Sequence, residues 1–179
     1  EENVVLLNPK EIDDGYYIES GWASVGNEVE VPGQDSLWQV ERNRVLNEKN
    51  DVVLEWNNGK GLIFKKIIKL DEKYLFKIKQ EVKNNTSSKI NLYPYSQITR
   101  NKKPDDVMGF YILHEGFIGV FDGELKEDDY DDIKDKKIVR NSDNGWLGIT
   151  DKYWVTAIVP PKDKNFKYIF LYKDNYRAN

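Results

Sequence analysis

Apolar positions in this chain fall in short runs with a period of two, and no stretch sustains the 3.6-residue period of an amphipathic helix. The clearest run sets Tyr74, Phe76, Ile78 and Val82 against Leu75, Lys77, Lys79, Glu81 and Lys83. Successive strand side chains point to opposite faces, so this spacing predicts a strand over 73–82 with one packed and one wet face. Runs at 52–56 and 62–70 precede it. They are separated by Asn57-Asn58-Gly59-Lys60-Gly61 and by Asp71-Glu72, compositions that turn a chain, and together the three runs predict a meander. Upstream, 4–7 and 16–19 read as opening strands, and 37–40 as another after the turn signal Pro32-Gly33. Downstream, 89–100 predicts a strand in which Pro94, unable to donate to a ladder, marks an edge or a bulge.

Residues 107–121 read as two short strands meeting near Glu115-Gly116, and the acidic stretch after them as a loop or a turn of helix. A last strand covers 165–173, with Phe166, Tyr168, Phe170 and Tyr172 on one face, and a polar tail follows. Between these lies the densest apolar segment, Gly145 to Pro161. The spacing predicts two buried strands there, joined by a polar corner at Thr150-Asp151-Lys152 and stopped by Pro160-Pro161. Trp146, Tyr153 and Trp154 each bring about 150–250 Å² of buriable surface, which places the segment across the middle of a core. Trp154→Ala is therefore expected to unfold the domain. The competing reading is an aromatic lining of a cleft.

The fold class is all-β. At 179 residues one domain with a substantial core is expected, and 13% aromatic residues supply that core despite a mean hydropathy of -0.72. No run approaches the roughly 18 apolar residues of a membrane span, and the start lacks a basic region followed by an apolar one. The net charge of -4 arises from 27 basic and 31 acidic residues that are interspersed, which argues against a nucleic-acid surface. No cysteine is present, which excludes disulfides, thiolate metal sites and cysteine nucleophiles but leaves the compartment open.

Candidate chemistry is sparse. His114 is the single histidine, and in a strand its neighbour Glu115 would face the opposite side unless a bulge intervened, so the two do not converge on one atom. Single and turn-paired glycines form no phosphate-cradling loop. The acidic residues around Tyr130 lack the ordered ligand spacing and central glycine of a calcium loop, and Lys134, Lys136 and Lys137 follow at once. No cofactor or metal is expected. What remains is aromatic: Trp22, Trp38, Tyr93, Tyr95, Trp146 and Trp154 could stack on a sugar or hold an extended peptide, with core packing the default for each.

Five ordered segments carry a resemblance: residues 54–66 around Trp56 and Gly59, Asp71-Glu72-Lys73-Tyr74, Leu92-Tyr93-Pro94-Tyr95, residues 112–121 around His114, and Gly145-Trp146-Leu147-Gly148-Ile149-Thr150-Asp151-Lys152-Tyr153-Trp154. Their order and spacing resemble the large periplasmic domain of the bacterial membrane protein insertase YidC, from about Val4 to the end, with the last two segments the most specific. The resemblance implies a twisted antiparallel β-supersandwich similar to galactose mutarotases. It also implies a Gram-negative source and a place at the periplasmic face of the inner membrane, anchored by spans outside this chain. The implied function is insertion, folding and assembly of membrane proteins, alone or with the Sec translocon. Sec components and nascent membrane proteins would be the partners, the latter held extended in a cleft. In that family the insertion chemistry lies in an arginine-bearing groove between membrane spans, so no residue of this chain is assigned catalysis. The isolated domain is expected to be a non-enzymatic monomer. Its opening strands are expected before Glu1 and its closing elements after Asn179, which would leave unpaired edges. The alternative is a carbohydrate-binding or aldose-epimerase-like supersandwich, because a shared fold does not carry function.

Overall fold

Turn chemistry sets many of the strand boundaries. The computed structural model describes residues 5–105, 107, 113–162 and 164–179, and among these it contains thirteen strands, a turn of 3-10 helix at Val25–Asn27 and one short α-helix. The strand pairs whose register is defined are all antiparallel. The fold is therefore all-β, in three sheets. The chain divides into two compact units, Gly21–Tyr95 and Glu1–Ser20 with Ser96–Asn179. The boundaries fall within β1 (Tyr16–Ser24) and β6 (Leu92–Arg100).

In the unit Gly21–Tyr95, the strands β2 (Gln39–Arg42), β3 (Val52–Asn57), β4 (Leu62–Leu70) and β5 (Phe76–Asn84) lie side by side in that order. The meander follows the predicted pattern. The β3–β4 turn is built by its amides. Asn57 Oδ1 accepts the Gly59 N–H at 2.8 Å, Asn58 Oδ1 accepts those of Lys60 and Leu62, and Gly59 and Gly61 take φ values of 70° and 93° that side chains disfavour. The next turn is wider than predicted. Asp71 Oδ1 takes the N–H groups of Lys73 and Leu75 at 2.9 and 3.0 Å, Tyr74 adopts φ 60°, and β5 begins only at Phe76.

Register places Trp56, Phe64 and Val82 on one face, where Trp22, Leu62 and Phe64 are buried and Trp38, Ile90 and Leu92 pack around them. The predicted packed face of β5 is filled only at this end. Phe76 and Ile78, on the same face, are 57% and 47% exposed. The reason is position: β5 is an edge strand, and the buried cluster gathers at the Leu62–Phe64 end of its neighbour.

The second unit contains a four-stranded sheet ordered β11 (Trp154–Ile158), β10 (Gly145–Asp151), β7 (Gly116–Phe121), β8 (Glu124–Asp129). Its other sheet carries β9 (Ile138–Ser142), β12 (Phe166–Lys173) and β13 (Asn175–Ala178), followed by β6 and β1. Phe117, Phe121, Leu147 and Ile149 of the first sheet share a core with Ile98, Tyr168, Phe170 and Tyr176 of the second. Helix α1 (Tyr130–Asp135) adds Tyr130 and Ile133. Ring pairs such as Phe121–Tyr168 and Tyr130–Tyr176, both 4.9 Å apart, meet edge to face, the arrangement favoured by aromatic quadrupoles.

Several sequence expectations change here. The opening segment is irregular over 5–7 apart from a bridge of Asn8 to Tyr16, and Val4 lies outside the described residues. The first of the two strands expected within 107–121 falls largely on 108–112, also outside them; the second is β7. The acidic stretch becomes β8 and α1, because Asp122-Gly123, with φ 52° and 86°, closes a hairpin that pairs it with β7. The polar tail becomes β13, which pairs with both β12 and β6 and buries Tyr176 and Ala178. Finally, 145–158 is not two buried strands. β10 has partners on both sides, whereas β11 is an edge with Trp154 and Val155 exposed.

Candidate functional site

The six aromatic candidates do not form one cluster. Trp22, Trp38, Tyr93 and Tyr95 belong to the unit Gly21–Tyr95, and Trp146 and Trp154 to the other. Trp22 and Trp38 are brought together, stacked with ring centroids 6.4 Å apart and an interplanar angle of 27°. The Lys66 ammonium lies 5.2 Å from the Trp38 centroid and 5.9 Å from that of Trp22, a cation–π arrangement over both rings. Trp22 is only 5% exposed and also meets Phe64 edge to face at 5.1 Å, so it is a core residue whose face is already covered.

Tyr93 and Tyr95 flank Pro94 in β6, and Tyr93 is the more open at 65% exposure. Tyr95 leans over Gly21, where even a Cβ would sit 2.8 Å from the phenol oxygen. Trp146 is half-buried opposite Val120. Trp154 pairs with Asp151 at the corner between β10 and β11 and is 48% exposed, available to a partner rather than sealed in a core.

Trp56, which the candidate set lacked, lines an open recess of about 550 Å³ with Glu30, Gln34, Asp35, Ser36 and Leu37. The loop is shaped by a hydrogen bond from the Gly33 N–H to Ser36 Oγ at 2.9 Å. The Pro32-Gly33 turn signal could have pointed to this loop, but not to the tryptophan that lines the recess with it.

A second feature was invisible in the sequence because its members are far apart. Arg100 at the end of β6 donates to Asp151 at the end of β10, and its guanidinium lies 4.7 Å from the Tyr16 ring centroid. The Tyr130 hydroxyl donates to the other Asp151 oxygen at 3.1 Å, and the Tyr16 hydroxyl to the Ile149 carbonyl at 3.3 Å. Burial pushes the Asp151 carboxyl above its ordinary value, against the pull of Arg100 and the hydrogen bond from Tyr130. The same burial raises the Tyr16 hydroxyl to about 12 and drives that of Tyr130 higher still. Both phenols thus stay neutral donors at any physiological pH. Arg100, Tyr16 and Tyr130 are buried, so this network ties strands and helix together from within and leaves these groups no access to a substrate.

His114 is similarly occupied. Its Nε2–H donates to the Phe117 carbonyl at 2.8 Å, and its Nδ1 lies 3.6 Å from an Asp129 oxygen, while Glu115 is buried. That is a structural histidine at the entry to β7. The acidic residues nearby pair with cations: Asp131 with Lys103 at 2.7 Å and Asp128 with Arg140 at 3.1 Å. Among the described residues no three His, Asp or Glu side chains converge as metal ligands, and no helix is long and apolar enough to cross a membrane.

These features define an antiparallel β-sandwich protein whose most open aromatic candidates are Tyr93 on β6 and Trp154 on the edge strand β11, and whose His114, Arg100 and Asp151 are engaged by other protein groups. Known proteins narrow the class. The model of the YidC periplasmic domain matches residues 1–179. A membrane protein insertase YidC of Pelagibacter ubique is 46% identical over 99% of this chain and 32% of its own length. Those of Jannaschia and Methylorubrum extorquens are 36% and 39% identical over 94% and 91% of the chain, and 29% and 28% of their own lengths. The chain belongs to the YidC periplasmic domain family. It spans about a third of the length of the curated relatives it matches.

Proposed function

We propose that this chain is the periplasmic part of a membrane protein insertase that assists insertion, folding and assembly of inner-membrane proteins, alone or with the Sec translocon. The family match across 1–179 carries this reading, and the insertase names of the relatives support it over the carbohydrate alternative. Within it, the chain works at the periplasmic face of the inner membrane, held there by spans outside 1–179. It acts as one functional domain and as a monomer, by contact rather than by catalysis and without a cofactor. Engagement of His114 by the Phe117 carbonyl and burial of the Arg100–Tyr130 network support contact over catalysis. Sec components and nascent membrane proteins are the partners, met by the open aromatics Tyr93 and Trp154; Trp38, Tyr95 and Trp146 are further candidate contact residues, and Trp22 is core support.

The test is insertion of a multi-span protein in cells depleted of their own insertase and supplied with the intact protein, or with a form lacking 1–179. Restored insertion by the intact protein is expected. Failure of the intact protein to restore any insertion would overturn the reading.

A further inference from the structure

We propose that the outer edge of β5 is a docking strand for an extended polypeptide segment in which apolar and acidic residues alternate. Among the described residues, β5 pairs only with β4, which leaves one side of its nine-residue backbone without a neighbouring strand. A free row of N–H and C=O groups is a template for another strand.

The side chains select what can fit. Lys77, Lys79 and Lys83 project from one face, and Lys69 of β4 lies in register with Lys77. Glu81 is the single acid on that face of β5 and is paired with Lys79. Lys83 forms no ion pair among the described residues, and Lys77 has only a through-space attraction to Asp71. The other face presents Phe76 and Ile78, both about half exposed; further along it Gln80 donates to the Gly21 carbonyl at 2.7 Å and Val82 packs on the core. Residues opposite one another in an antiparallel pair have Cβ atoms roughly 4.5–5.5 Å apart, so an incoming strand would set every second side chain against this lysine row. Acidic residues there and apolar ones between them complement both faces.

The same lysines disfavour a second copy of β5. Antiparallel self-pairing centred on Gln80 would set Lys77 against Lys83 twice, where like charges oppose pairing, and only Lys79 would meet an acid, Glu81, which is already paired with Lys79 of its own strand. Charge complementarity therefore favours a foreign acidic segment over a homodimer. The inference concerns the surface itself and does not depend on which membrane proteins the whole protein handles.

The test uses the intact protein that carries this chain and fluorescent peptides matching the nine residues of β5, alternating valine with glutamate or valine with lysine. Fluorescence anisotropy is expected to show the glutamate peptide binding at least about tenfold more tightly than the lysine peptide, with affinity falling as salt rises. N-methylation of alternate peptide nitrogens should abolish binding in one of the two possible sets and spare it in the other, as only one set faces β5. The double variant Lys77→Glu, Lys79→Glu should invert the charge preference, which also shows that the variant is folded. Absence of peptide binding, as when another segment of the protein or a second copy covers this edge, overturns the proposal. So does equal sensitivity to both N-methyl sets, or a preference unmoved by the charge reversal.

Discussion

The buried Arg100 and the partly buried Asp151 are joined within one unit, the arginine at the end of β6 and the aspartate at the end of β10. A buried ion pair is a weak source of net stability, but removing one member leaves the other charged in a poor solvent. Asp151→Ala is expected to destabilise the chain by about 3–5 kcal/mol in urea unfolding, because the Arg100 guanidinium loses its carboxylate. The double variant Arg100→Met, Asp151→Ala should recover a large share of that loss. A double variant as unstable as the sum of the two single ones would show that the pair is not coupled.

The pH dependence follows from opposite shifts at two aspartates. Burial raises the Asp151 carboxyl above its ordinary 3.8, so the folded state holds that proton more tightly than the unfolded one. Its contribution favours folding below 3.8 and declines as pH rises through the raised folded value. Asp71 is the converse: hydrogen bonds from the Leu75 and Lys73 backbone hold it below 3.8. Its contribution is present above 3.8 and is lost as pH falls through the lowered value. Stability measured from pH 3 to 7 should therefore show Asp151→Asn removing a decline with rising pH, and Asp71→Ala removing a loss on acidification.

Tryptophans separate by burial rather than by neighbourhood in sequence. Trp22→Ala, in the core of its unit, should lower stability by about 3–5 kcal/mol. Trp154→Ala, on an edge strand, should cost less than about 1 kcal/mol and leave the fold intact. Thermal or urea unfolding of the two variants checks the ranking, and equal losses would restore the buried reading of β11.

Glycines in β10 are required by close strand approach. A Cβ at Gly148 would sit 2.5 Å from the Thr156 carbonyl oxygen, and one at Gly145 would sit 2.2 Å from that of Val120. Gly148→Ala should lower the unfolding midpoint by the equivalent of about 1–3 kcal/mol. Gly33→Ala, whose Cβ meets open space, should leave stability unchanged within about 0.5 kcal/mol.

The alternation of apolar residues made the all-β class and the β3–β4–β5 meander legible, because a half-buried strand writes its period directly into the sequence. β8 was not legible. Its sequence, Glu-Leu-Lys-Glu-Asp-Asp, reads as solvated loop, and only pairing with β7 across the Asp122-Gly123 turn makes it a strand. Trp154 was misplaced for a related reason: composition reveals an apolar segment but not whether a strand has one neighbour or two. The Arg100–Asp151–Tyr130 network joins residues far apart in the chain, so no local pattern could disclose it. Segment resemblance identified the family where the residues alone showed no active site, and that is where the functional reading came from.

The most direct test of the account is site-specific photo-crosslinking in the intact protein during membrane insertion, with the probe at Tyr93, at Trp154 or, as a buried control, at Phe64. The account predicts adducts to a Sec component or to a nascent membrane protein from Tyr93 or Trp154 and none from Phe64. Equal adducts from all three positions, or none from either open aromatic while insertion proceeds, would contradict it.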